Sequence, residues 1–95
     1  MKVNVQFFAS ARELVGTRGE ALELRDGATV KDLLELLARN HGQGLRDYLY
    51  DPKSGELRKS IQLLIGDRVI SQTGGLATPL TDGCVFALIP PVGGG

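Results

Sequence analysis

Val3, Val5 and Phe7 alternate with Lys2, Asn4 and Gln6, a period of two that predicts a strand with one buried face. Phe8 falls on the polar side of that alternation, so it is either a satellite contact or part of an interaction surface. Residues 10–15 suit one or two helical turns, Gly16 and Gly19 punctuate, and residues 21–24 read as a second strand, antiparallel to the first. Asp26-Gly27 marks a turn. Thr29 predicts a helix N-cap with Asp32 three residues on, a carboxylate variant of the capping box. Val30, Leu33, Leu34 and Leu37 follow at the spacing of one core-facing stripe. Asn40, His41 and Gly42 end this helix, the only long one expected. Leu45, Tyr48 and Leu49 allow a short amphipathic helix within the weakly patterned stretch 43–60. Residues 61–65 form a strong strand pattern, Gly66-Asp67 a tight hairpin turn and residues 68–70 a short return strand. Residues 71–83 read as loop and 84–89 as the last strand, which Pro90 and Pro91 terminate.

That order places one helix on one face of a mixed sheet of about five strands, with the first and last strands parallel at its centre. The expected class is α+β, a β-grasp (ubiquitin-like) roll over residues 1–91, with 92–95 as a flexible C-terminal tail. Alternation from a buried Cys84 points Phe86 and Leu88 toward the helix and leaves Val85, Ala87 and Ile89 on the open face. Phe8, Val69, Ala87 and Ile89 are therefore candidates for an apolar docking patch, with Arg12 at its rim. Phe8 is expected to serve docking and to contribute little to folding.

The chain has 95 residues, which suits one domain. Eleven Lys and Arg balance eleven Asp and Glu. No basic excess exists to bind nucleic acid, and no polybasic segment to bind a membrane surface. Apolar runs are too short to span a bilayer. A 42% hydrophobic content excludes a disordered chain. One cysteine cannot make an internal disulfide, a zinc site or an iron–sulfur cluster, and a small domain without disulfides is expected to be cytoplasmic. His41, the sole histidine, suits the negative end of its helix. Glu20, Glu23, Asp47 and Asp51 read as solvated charges, with no acid/base frame among them.

The remaining chemistry lies at the C-terminus. Pro90-Pro91-Val92 predicts a stiff exit from the last strand, followed by Gly93, Gly94 and Gly95. Such an end is either frayed or a thin arm. As an arm, six residues reach about 20 Å at roughly 3.3 Å each. Glycines, lacking Cβ, pass through channels that exclude other residues.

Three groups of residues make the sequence resemble the MoaD-type small subunit of molybdopterin synthase, within the ubiquitin-like sulfur carriers. They are Phe7-Phe8-Ala9 with Ala11-Arg12-Glu13-Leu14-Val15-Gly16; Leu80-Thr81-Asp82-Gly83; and Ile89-Pro90-Pro91-Val92-Gly93-Gly94-Gly95. The resemblance covers nearly the whole chain, with residues 41–60 longer than the family minimum and Gly93 at a variable position. It implies that Gly95 is adenylated and converted to a thiocarboxylate, with Gly94 kept small so that the arm can pass. Pro90, Pro91, Val92 and Gly93 would line the partner's channel. The implied partners are an ATP-dependent adenylating enzyme (MoeB-type) and the large synthase subunit (MoaE-type), which would present a pyranopterin precursor to the sulfur. No cofactor is expected on this chain, because ATP is used by the activating partner. The chain would be a sulfur-donating subunit, not catalytic alone. The same ending also suits a ubiquitin-like protein modifier or a carrier for tRNA thiolation, and the fold alone suits a plain interaction module.

Overall fold

The computed structural model describes residues 1–90. Strand β1 (Lys2–Phe7) leads through helix α1 (Ala9–Val15) to strand β2 (Gly19–Glu23), then to helices α2 (Val30–His41) and α3 (Gln43–Leu49). Strands β3 (Gln62–Ile65) and β4 (Arg68–Val69) form a hairpin. Two 3-10 turns, Ile70–Gln72 and Gly75–Ala77, lead to strand β5 (Val85–Ile89). The sheet order is β2-β1-β5-β3-β4, with β1 and β5 parallel at its centre and the other pairings antiparallel. This is the expected β-grasp arrangement. The boundary between residues 91 and 92 lies outside the described residues.

Alternation and helical period build one core between sheet and helices. Val3, Val5, Phe7, Phe86, Leu88 and Leu63 enter it from the sheet, and Val30, Leu33, Leu34 and Leu37 meet them from α2. The α2 stripe is wholly buried. At the start of α2, the Asp32 carboxylate accepts hydrogen bonds from the Thr29 backbone N–H at 2.8 Å and its hydroxyl at 3.2 Å. These bonds satisfy donors that a helix start leaves open, and the first of them holds the Asp32 carboxyl below its ordinary pKa. The short amphipathic helix allowed at Leu45 and Leu49 is α3, whose two leucines are buried. Gly42, at φ +88°, makes the break between α2 and α3.

Several expectations are corrected. Strand β2 begins at Gly19 rather than residue 21, because an alanine Cβ there would stand 2.7 Å from the Val5 carbonyl and glycine lets the strands close up. The return strand stops at Val69, since Ile70 turns inward to start a 3-10 turn. Cys84 is half-exposed rather than buried and lies just before β5, flanking the core. Glu20 is not a free solvated charge. It is half-buried, and its carboxylate lies 2.7 Å from His41 Nε2, tying β2 to the end of α2. The His41 ring also meets Phe7 edge-on, with centroids 5.9 Å apart.

Candidate functional site

The sheet face opposite α2 carries the candidate docking residues. Strand registers set its side chains in rows. One row runs Gly19, Gln6, Ala87, Leu64, Val69 across all five strands. Ile89 and Gln62 form the next row toward Pro90, and Asn4 and Val85 the row on the other side. The Phe8 N–H donates to the Leu88 carbonyl at 3.3 Å, which places Phe8 beside the end of β5. Ala9 then takes φ +49°, unusual for a residue with a Cβ, and turns the chain sharply into α1. This bend leaves Phe8 at the helix start with 41% of its surface exposed.

The structure places the four expected patch residues on or beside this face, with two departures and two further apolar residues. Ala87 faces away from the helices but is only 9% exposed. It is a small residue on an inner strand, flanked by Gln6 and Leu64, and it forms the floor of the patch without projecting from it. Val69 and Ile89 are half-buried. Phe8 and Val69 are not neighbours: β1 and β4 are three strand spacings apart, roughly 14 Å. Leu64 connects Val69 to Ala87, and Val85, 37% exposed, extends the apolar surface along β5. Both were missed as members of the patch. Leu64 breaks the alternation of its strand as Phe8 does of β1, and that signal was available.

Arg12 sits in the last turn of α1, exposed, and its backbone N–H reaches the Phe8 carbonyl at 3.4 Å. It is one turn from Phe8 and makes no ion pair among the described residues. Pro90 is half-buried where β5 leaves the sheet. Pro91, Val92, Gly93, Gly94 and Gly95 lie outside the described residues.

The helical side offers a cleft of about 510 Å³ between α2, α3 and the 51–55 turn. Lys31 and Arg46 oppose Glu35, Asp47 and Asp51 there. Burial, with Glu35 adding to it, raises the Tyr50 phenol above its ordinary pKa. These mixed charges show no preference for one ligand. No cluster of three potential metal ligands occurs among the described residues, and no described helix is long and apolar enough to cross a membrane.

The ThiS family model matches residues 5–95, from within β1 through Gly95. The chain belongs to the ThiS family. Ubiquitin-like sulfur carriers and archaeal modifier proteins resemble it. Small archaeal modifier protein 3 of Haloferax volcanii is 35% identical over 95 residues, with 100% of both chains covered. The molybdopterin synthase sulfur carrier subunit of Chlamydomonas reinhardtii is 30% identical over 95 residues, again with 100% of both covered. The crystal structure of SAMP1 from Haloferax volcanii superposes with a TM-score of 0.85 at 28% identity, covering 100% of each chain.

Proposed function

We propose that this ThiS-family chain is the sulfur-carrier subunit of molybdopterin synthase, with Gly95 as its reacting residue. One observation carries the reading: β5, an inner strand of the sheet, runs directly to Pro90 beside an apolar face bearing Phe8 and Ile89. The family match then continues through Gly95. A partner seated on that face receives the tail at a fixed origin, which converts a diffusional encounter into a positioned one.

The chemistry needs that help. A carboxylate is a poor electrophile, because its charge is delocalised and its leaving group would be oxide. In the activating enzyme a Gly95 carboxylate oxygen attacks the α-phosphorus of ATP and pyrophosphate leaves. Hydrosulfide then attacks the acyl carbon, and AMP departs with the former carboxylate oxygen. The product is a thiocarboxylate, whose sulfur is a strong nucleophile. The large synthase subunit would hold it against the pyranopterin precursor, and two such transfers build a dithiolene. The carrier contributes the reactive end and the docking face, and its partners contribute orientation and water exclusion.

Incubation with the cognate adenylating enzyme, ATP and hydrosulfide is expected to raise the intact mass by about 16 Da, by exchange of oxygen for sulfur at one acyl carbon. No gain with a competent enzyme, or an equal gain in a chain lacking Gly95, overturns the reading. The 35% identity to a small archaeal modifier protein favours a second reading, in which the Gly95 acyl group is passed to a lysine amine. Incubating the loaded chain with the large synthase subunit and pyranopterin precursor separates the two. Return of the chain to its original mass with dithiolene formed supports the first, and an isopeptide-linked adduct in cell extract supports the second.

A further inference from the structure

The end of the sheet from which β5 departs carries a polar feature as well as an apolar one. Pairing of Gln62 with Ile89 brings the 58–61 turn beside Pro90, and the Phe8–Leu88 hydrogen bond brings the start of α1 to the other flank. On the helical side of this exit lies a cleft of about 400 Å³, lined by Ser10, Asp47, Tyr48, Arg58, Ser60 and Ile61.

Arg58 is half-buried and held in place. Its backbone N–H donates to the Leu49 carbonyl at 2.8 Å, and its Nε donates to the Asp47 carbonyl at 2.9 Å. Both acceptors are carbonyls that the end of α3 leaves open. One edge of the guanidinium is thus spent on the helix end. The terminal nitrogens are not needed there, and Arg58 makes no ion pair among the described residues. The Asp47 carboxylate, the acidic group of the cleft, instead accepts from the Gln43 side-chain amide at 2.8 Å. Opposite, the hydroxyls of Ser10 and Tyr48 share one hydrogen bond of 2.8 Å, which leaves one hydroxyl proton free to donate outward.

An oriented, half-buried guanidinium whose terminal nitrogens form no ion pair among the described residues suits a planar carboxylate, which it binds with two parallel hydrogen bonds. We propose that this cleft receives an aspartate or glutamate side chain of the adenylating enzyme, at the mouth of the channel that takes the tail. The inference rests on the sulfur-carrier reading. The Asp47 carboxylate lining the same cleft disfavours the multiple negative charge of a nucleotide phosphate as the occupant. The partner therefore grips the exit on two sides, by apolar contact on the open face and by an ion pair on the helical side.

The test is calorimetric titration of the full chain into its adenylating enzyme at about 50 mM and about 300 mM salt, with wild type, Arg58→Ala and Ser60→Glu. Ser60 is exposed, and a glutamate there places an internal carboxylate beside Arg58 without removing the helix-end bonds. Both variants are expected to raise Kd at least tenfold at low salt and to weaken its salt dependence. Wild type that gains 16 Da while both variants bind within twofold of it overturns the cleft proposal and leaves the carrier reading standing. If Arg58→Ala melts too early to titrate, Ser60→Glu alone decides. A wild type that neither binds nor gains mass overturns the carrier reading and this inference with it.

Discussion

Replacing Phe8 by alanine tests the proposed docking face where it projects most. A phenylalanine presents about 200 Å². With 41% exposed, roughly 80 Å² of Phe8 is open and roughly 120 Å² is already covered. At about 25 cal/mol per Å², covering the open part on docking stabilises the complex by about 2 kcal/mol, near thirtyfold in Kd. The covered part has a separate effect on folding. Alanine retains some of that contact, so the folding loss is about 1–2 kcal/mol, or about 4–16 °C in Tm for a domain of this size. The sequence alone suggested almost no folding role for Phe8; its partial burial at the start of α1 gives it one. Binding is measured by calorimetry against the adenylating enzyme below the melting transition, and stability by thermal denaturation followed by circular dichroism. A Kd within twofold of wild type, with the Tm far lower, would show that Phe8 is a core residue and that the docking face is elsewhere.

Arg12→Ala is expected to slow association with the adenylating enzyme at low salt, by a factor that shrinks above about 0.15 M as the Debye length falls below about 8 Å; stopped-flow rates unchanged at every salt concentration would make Arg12 an ordinary solvated charge. Gly19→Ala should destabilise the fold by about 1–3 kcal/mol, because the new Cβ meets the Val5 carbonyl at 2.7 Å between two paired strands. Gly44→Ala should stabilise it by about 0.5–1 kcal/mol, since this position is helical and its Cβ meets only the flexible end of the exposed Leu14 at 3.4 Å; urea denaturation curves of the two variants moving in the same direction would refute that contrast. The Asp32 carboxyl is held below the ordinary value of 3.8, so its contribution is present above that pH and lost as pH falls through the lower folded value. The Tm gap between wild type and Asp32→Asn should accordingly narrow as pH falls below 3.8, and a gap that widens in acid would contradict the assignment.

The strands and the long helix were legible because each repeats its pattern several times: Val3, Val5 and Phe7 on one period, Val30, Leu33, Leu34 and Leu37 on the other. The parallel pairing of first and last strands followed from element order. What stayed hidden depends on neighbours remote in sequence. Alternation assigns Ala87 to the open face, but its low exposure comes from Gln6 and Leu64 on the strands beside it. Glu20 looks like any surface carboxylate until the fold brings His41, 21 residues away, to within 2.7 Å. Arg58 has no periodic signature at all, since its role depends on where α3 ends. Leu64 was the avoidable omission, as an apolar residue out of phase in a strong strand.

The parallel contact between β1 and β5 also bears on when the protein becomes usable during its synthesis. Residues Asn4 to Phe7 pair with Val85 to Leu88, so the first strand made finds its inner partner only in the last one made. A chain still missing its final residues exposes one edge of β1 and cannot place Ile89 near Phe8. Contacts this distant in sequence also form late in folding, because the loop between them must close first. A partner that docks on this face, as proposed, would consequently meet only chains that have been translated through β5 and folded, so that recognition would also check completion.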